Sequence, residues 1–130
     1  MASWTQLRDA LRSAFVVEID EPNGLGLRFD VGEGRTQSVS VTRLIFEGEE
    51  WVEIATGIGV EGEIDPRDAL RLSGSMVIGG LALQDNLIVF RHTLPLKNLD
   101  SDEFHTPFSH VVKFGDELER RVGASSEDRF

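Results

Sequence analysis

Three histidines, His92, His105 and His110, are the side chains best suited to bind a metal or move a proton. The segment Gly57-Ile58-Gly59-Val60-Glu61-Gly62 is spelled like a dinucleotide-binding loop. Neither feature has the spacing its chemistry needs. His105 and His110 are five apart, which on a helix points them about 140° from each other, whereas a helical zinc pair sits at i, i+4. His92 shares a strand face with Ile88 and Phe90, the setting of a hydrogen-bonded, partly buried imidazole. A nucleotide loop must open directly into a helix so that N–H groups meet the pyrophosphate. Here Pro66 delays the helix, and Glu61 and Glu63 would oppose the phosphates, so the segment reads as a flexible loop between a strand and a helix. No G-x-S-x-G elbow is present, and Ser109 and His110 are merely adjacent in sequence. The carboxylates cluster in turns, where water keeps them ordinary acids. The expectation is a protein without catalytic residues, metal or cofactor.

The elements that carry these residues follow from periodicity. Trp4, Leu7, Leu11, Ala14 and Phe15 recur at helical spacing behind Ser3, which predicts an amphipathic helix over 3–15. Leu25, Leu27, Phe29 and Val31 alternate with Gly26, Arg28 and Asp30, the period of a strand with one buried face. From 36 to 46 the apolar phase moves from odd positions (Val39, Val41) to even ones (Leu44, Phe46), which predicts a bulge near Thr42 or Arg43. A turn at Glu47-Gly48-Glu49-Glu50 leads into a strand over 51–56 with Val52 and Ile54 on one face and Trp51 and Glu53 on the other. Asp65 before Pro66 caps a short helix running to about Leu72. A hairpin joins 76–83 to 87–94 around Gln84-Asp85-Asn86. After Leu99 a last helix starts at Asp100, with Glu103 placed for a capping box. Pro107 predicts a kink, or a restart capped by Thr106. The order is α-β-β-β-α-β-β-α, an α+β fold with helices packed on an antiparallel sheet.

Length and charge narrow the class further. The 130 residues suit a single domain over 1–123, with a mobile tail over 124–130. There are no cysteines, and the first fifteen residues hold no apolar run long enough for a signal peptide or membrane span, so the expected compartment is the cytoplasm. Thirteen Lys and Arg against 23 Asp and Glu give a net charge of −10, which repels nucleic acid. Between Glu47 and Asp68 the acids outweigh the single base Arg67, a field suited to steering a basic protein segment.

Several stretches carry a family resemblance: Trp51-Val52-Glu53-Ile54; Asp65 through Ala69, Leu70 and Leu72 into Gly79-Gly80-Leu81-Ala82-Leu83; Leu87 through Leu96; and Phe114-Gly115-Asp116-Glu117-Leu118-Glu119. In these the chain resembles the YbjN-type family, which shares its fold with the type III secretion chaperones. The resemblance spans most of the chain and implies a small acidic bacterial protein, commonly a homodimer, that holds a protein partner along its sheet and transfers no catalytic residues. The middle helix is shorter than the chaperone pattern, which leaves a monomeric YbjN-type regulatory or sensory domain as the alternative. If the strand about the expected bulge faces solvent, Val39, Val41, Phe46 and Trp51 form the partner-binding patch. Leu70, Leu72 and Met76 are the candidate dimer seam.

Overall fold

In the computed structural model, residues 3–128 are described, with side chains through Val122. Helix α1 (Trp4–Ala14) is followed by four strands, β1 (Val16–Glu21), β2 (Gly24–Gly32), β3 (Arg35–Phe46) and β4 (Glu49–Val60). Helix α2 (Pro66–Gly74), strands β5 (Gly80–Gln84) and β6 (Leu87–Pro95) and helix α3 (Ser101–Asp128) complete the chain. The strands form one antiparallel sheet in the order β1-β2-β3-β4-β6-β5. The α+β class therefore stands, with one more strand in the first meander than the periodicity predicts.

One sheet face carries the core. Leu25 and Leu27 of β2 pair with Val41 and Val39 of β3, Val41 pairs with Ile54 of β4, and Thr56 pairs with Phe90 of β6, so the inward positions align across the register. Leu7 and Leu11 of α1, with Phe104, Phe108, Val111 and Leu118 of α3, are buried against them. Burying a side chain of this size stabilises by about 1.5–3 kcal/mol relative to leaving it in water. The two helices meet through Phe15, whose ring centroid lies 5.3 Å from both Phe29 and Phe108. Trp4 donates its indole N–H to the Pro22 carbonyl at 2.8 Å, fixing α1 to the β1–β2 turn. An ion pair network ties α3 to β3, with Asp116 meeting Arg35 at 3.1 Å and Arg120 at 3.2 Å.

The capping residues act as their chemistry predicts. The Ser3 side chain accepts from the Gln6 N–H and the Asp65 side chain from the Arg67 N–H. Asp100 and Glu103 exchange side-chain-to-backbone bonds in a reciprocal box at the start of α3.

Four expectations are corrected. No bulge interrupts β3 near Thr42 or Arg43: the register runs unbroken from Asp30↔Thr36 to Gly24↔Thr42 and from Ser40↔Ala55 to Phe46↔Glu49. Leu44 and Phe46 simply lie on the other face, while Arg43 continues the inward phase and pairs with Glu50 at 2.6 Å. Val39 and Val41 are fully buried beneath the helices, so they take no part in a surface patch. Gly57 to Val60 belong to β4 and pair with β6 through a register shift between Gly57 and Gly59, so this segment is strand and not loop. Gly59 is required there because a Cβ would come within 2.9 Å of Val122 of α3. Finally, α3 is one helix to Asp128 with Pro107 inside it, so the helix does not restart at Thr106 and runs on past the expected domain end at 123. The missing N–H would have bonded the carbonyl of Glu103, a residue on the exposed side of the first turn of α3. The expected tail over 124–130 lies beyond the described side chains, and its last two residues lie outside the described chain.

Candidate partner-binding surfaces

The histidines are dispersed into structural roles. His105 bonds Ser109 one helical turn away at 3.2 Å, while the His110 ring stacks on Phe114 and meets Phe90 edge-on. His92 stands on the helix face of β6, and its Nδ1 accepts the Gly79 backbone N–H at 2.9 Å. An imidazole nitrogen that accepts from an N–H carries no proton, so the neutral ring holds its hydrogen on Nε2. Burial lowers the His92 pKa from the ordinary imidazole value, and the nearby His110 charge lowers it further. Among the described residues no three His, Asp or Glu side chains are grouped to hold a metal.

The open sheet face is polar over most of its width. Ser38, Ser40 and Thr42 of β3 face it, and Glu53 of β4 pairs with Arg91 of β6 at 2.7 Å. At the β3–β4 hairpin this face turns apolar: Leu44 pairs with Trp51 and the Phe46 ring meets Trp51 edge-on at 6.1 Å. Phe46 is 59% exposed and Trp51 half-buried. Of the four residues predicted for a partner-binding patch, the fold therefore brings Phe46 and Trp51 together at the surface and removes Val39 and Val41.

A second apolar surface lies at the β5 margin. Asp65 and Pro66 start α2 so that Leu72 and Met76 pack on the core while Leu70 points outward, 73% exposed. Of the predicted dimer seam, Leu70 alone stands free of the core. Leu70, Ala69, Pro66 and Ile64 face Leu81 and Leu83 of β5 across a groove of about 230 Å³. Exposed Val60, Leu83 and Leu87 extend this apolar margin.

The backbone of β5 is held there by side chains. The Leu81 N–H points away from β6 and donates to Ser73 Oγ of α2 at 3.0 Å. By the two-residue period of a strand, the Leu83 N–H also points away from β6, into the groove side. Leu83 and Leu87 escaped prediction because nothing local marks β5 as a sheet edge. The usable signal was its length and its small, uncharged composition.

A larger cleft of about 740 Å³ opens beside the Gly57–Gly59 bulge, walled by Glu33, Arg35, Glu63, Glu119 and Arg120. Its groups are engaged with the fold: Arg35 and Arg120 hold Asp116, and Glu63 accepts the Val60 N–H at 2.7 Å. Burial raises the pKa of Glu119. Among the described residues no helix is long and apolar enough to cross a membrane. Compared with known proteins, the sequence matches no protein-family model and no curated protein.

Proposed function

We propose that this chain is a non-enzymatic, chaperone-like module that holds an extended segment of a protein partner along the outer edge of β5. The observation that carries this reading is the Leu81 N–H turned away from β6 onto Ser73, which by the two-residue period of a strand also turns the Leu83 N–H outward beside the apolar groove of α2. An added strand takes its affinity from main-chain hydrogen bonds and its selectivity from pockets for alternate side chains, and this margin offers both. Glu61 lines the groove and Asp65 caps α2 directly before groove-lining Pro66, so the fitting segment has apolar residues at alternate positions and basic flanks.

Such a role agrees with the resemblance to YbjN-type and secretion-chaperone proteins and suits a protein of the cytoplasm, working without metal or cofactor. Nucleic acid is set aside because the net charge of −10 repels phosphate. A homodimer seated on Leu70 would occupy the same groove and compete with the partner. The alternative, a small-ligand sensory domain, is less well served: the groove is about 230 Å³, below the roughly 300 Å³ at which small-molecule sites begin, and in the cleft of about 740 Å³ Arg35, Arg120 and Glu63 already bond to the fold.

Selection from a displayed library of extended peptides tests the proposal. Binders should show alternating apolar positions with Lys or Arg flanks. Leu83→Pro should weaken them about tenfold, because it removes one hydrogen bond at an edge position where proline is tolerated. A selection without binders, or binders indifferent to Leu83→Pro, would sink it.

A further inference from the structure

We infer that His92 is a proton-released latch on the α2–β5 margin: its neutral Nδ1 holds the Gly79 N–H, and a second ring proton turns that acceptor into a donor and frees the segment. The geometry is specific. The bond spans 2.9 Å from a strand side chain to the backbone just before β5. Gly79 adopts φ +76 where an added Cβ would strike Phe90 and the Arg91 carbonyl, a close fit held in place from one side by the imidazole. Protonated His92 would set two N–H groups against each other at hydrogen-bond distance, so the closed state accepts the neutral ring alone.

The surroundings favour that neutral form. From α3 the ring meets the charge of His110, and Lys113 and Glu117 line the cleft beside His110. From β4 the cross-strand neighbour is apolar Ile54. The segment before β5 offers Ile78 and the Gly79 backbone, and Asp68 and Arg71 of α2 pair with each other at 3.7 Å. The Arg91–Glu53 pair lies on the other sheet face. Burial acts in the same direction, lowering the ring's pKa while it is latched.

The sign follows from linkage. The open state takes up a proton at the ordinary imidazole pKa and the closed state only at a lower one, so acidification favours opening. Leu81 follows Gly79 by two residues and its outward N–H is anchored on Ser73 Oγ, so release loosens the outer edge of β5. That consequence for partner capture rests on the function proposed above, whereas the latch is a property of the free chain.

Amide hydrogen exchange on the isotope-labelled full-length protein, corrected for intrinsic exchange rates, reads the latch directly. Below about pH 6.5 the opening equilibrium at Gly79 should rise about tenfold per pH unit until the latched pKa is reached. The Ile54 amide in the core should keep its protection. His92→Asn places an oxygen near the Nδ1 position that accepts the same N–H and does not titrate, so the rise should vanish. Flat exchange at Gly79 in the wild type, or the same slope in His92→Asn, overturns the latch. The wild type also carries its own control: the Gly79 amide resonance should titrate with the midpoint of the His92 ring, and a different midpoint counts against the proposal. Because no partner is present, failure here leaves the strand-addition reading standing, and failure of the peptide selection leaves the latch standing.

Discussion

The sheet has two margins, β1 and β5, and they meet the hazard of an unpaired edge by opposite means. β1 is acidic and irregular: Glu18, Asp20 and Glu21 crowd it, and its pairing with β2 shifts between Val17 and Ile19. Arg12 of α1 grips Asp20 at 2.5 Å, and Ser38 of β3 donates to Glu18 at 3.2 Å. Charges and bulges are the usual devices that deny an edge to other chains. β5 carries no charge in Gly80-Leu81-Ala82-Leu83-Gln84, and a groove lined by apolar side chains runs beside it. Its protection comes from two neutral bonds, Ser73 to Leu81 and His92 to Gly79. An edge guarded by charge repels further strands permanently, while an edge guarded by exchangeable bonds can be opened and refilled. The second kind is where capture belongs.

The sharpest way to break this contrast is to add one methyl group at each margin. In Gly79→Ala the Cβ would lie 2.6 Å from Phe90 Cε1 and 2.8 Å from the Arg91 carbonyl, at a left-handed φ of +76. Overpacking and backbone strain together should cost about 3 kcal/mol or more in denaturant unfolding. In Gly26→Ala the Cβ would lie 3.1 Å from Ile19 Cβ, but Ile19 is exposed on the bulged strand and can yield. That change should stay within about 1 kcal/mol, since the lost glycine entropy offsets the crowding. Equal losses at the two sites would show that both margins are packed alike and would dissolve the contrast between them.

How much of this contrast was visible in the sequence depends on how local each signal is. The caps at Ser3, Asp65 and Asp100 act over three residues and were legible, as was the alternation of β2, which has one buried face. β1 was not, because Val16, Val17 and Ile19 break the period where the strand itself bulges, and an edge strand needs no apolar face. The phase of β3 misled for a related reason. A change of apolar positions implies a bulge only where one face is buried, and at Leu44 to Phe46 neither face is fully covered. Gly57 to Val60 hid as a loop because glycine is a poor strand former, yet close packing against α3 selects it. Phe46 and Trp51 could be named from their types. The groove could not, since β5 becomes an edge only through the β4-β6-β5 order, a contact of distant segments.

The anchors of the two margins can be compared by deletion, with a smaller expected effect. Ser73→Ala leaves the Leu81 N–H without its partner beside a groove of apolar side chains, which should cost about 1 kcal/mol. Ser38→Ala removes an exposed bond to Glu18 and should change stability by less than about 0.5 kcal/mol. Unfolding midpoints with unchanged denaturant slopes would establish both values. A larger loss at Ser38 would mean that β1, and not β5, depends on its side-chain anchors.

The subtlest difference is the pH at which each margin loosens. His92 has a lowered pKa, so its contribution is complete above the ordinary imidazole value and declines as the pH falls from there toward the folded value. Asp20 also has a lowered pKa, because Arg12 donates to it, but its contribution is complete above the ordinary carboxylate value and declines only as the pH falls below that. Both margins weaken in acid, in separate windows, with β5 first and β1 some two pH units later. Added salt should shrink the β1 effect, since that pair is exposed and screened, while the β5 effect should change less, since burial is its larger cause and only the His110 contribution is screened. Residue-resolved exchange followed through one acid titration at low and high salt would show the order. Simultaneous loosening, or a β5 window that moves with salt as far as the β1 window, would mean that charge and not a neutral hydrogen bond guards the β5 edge.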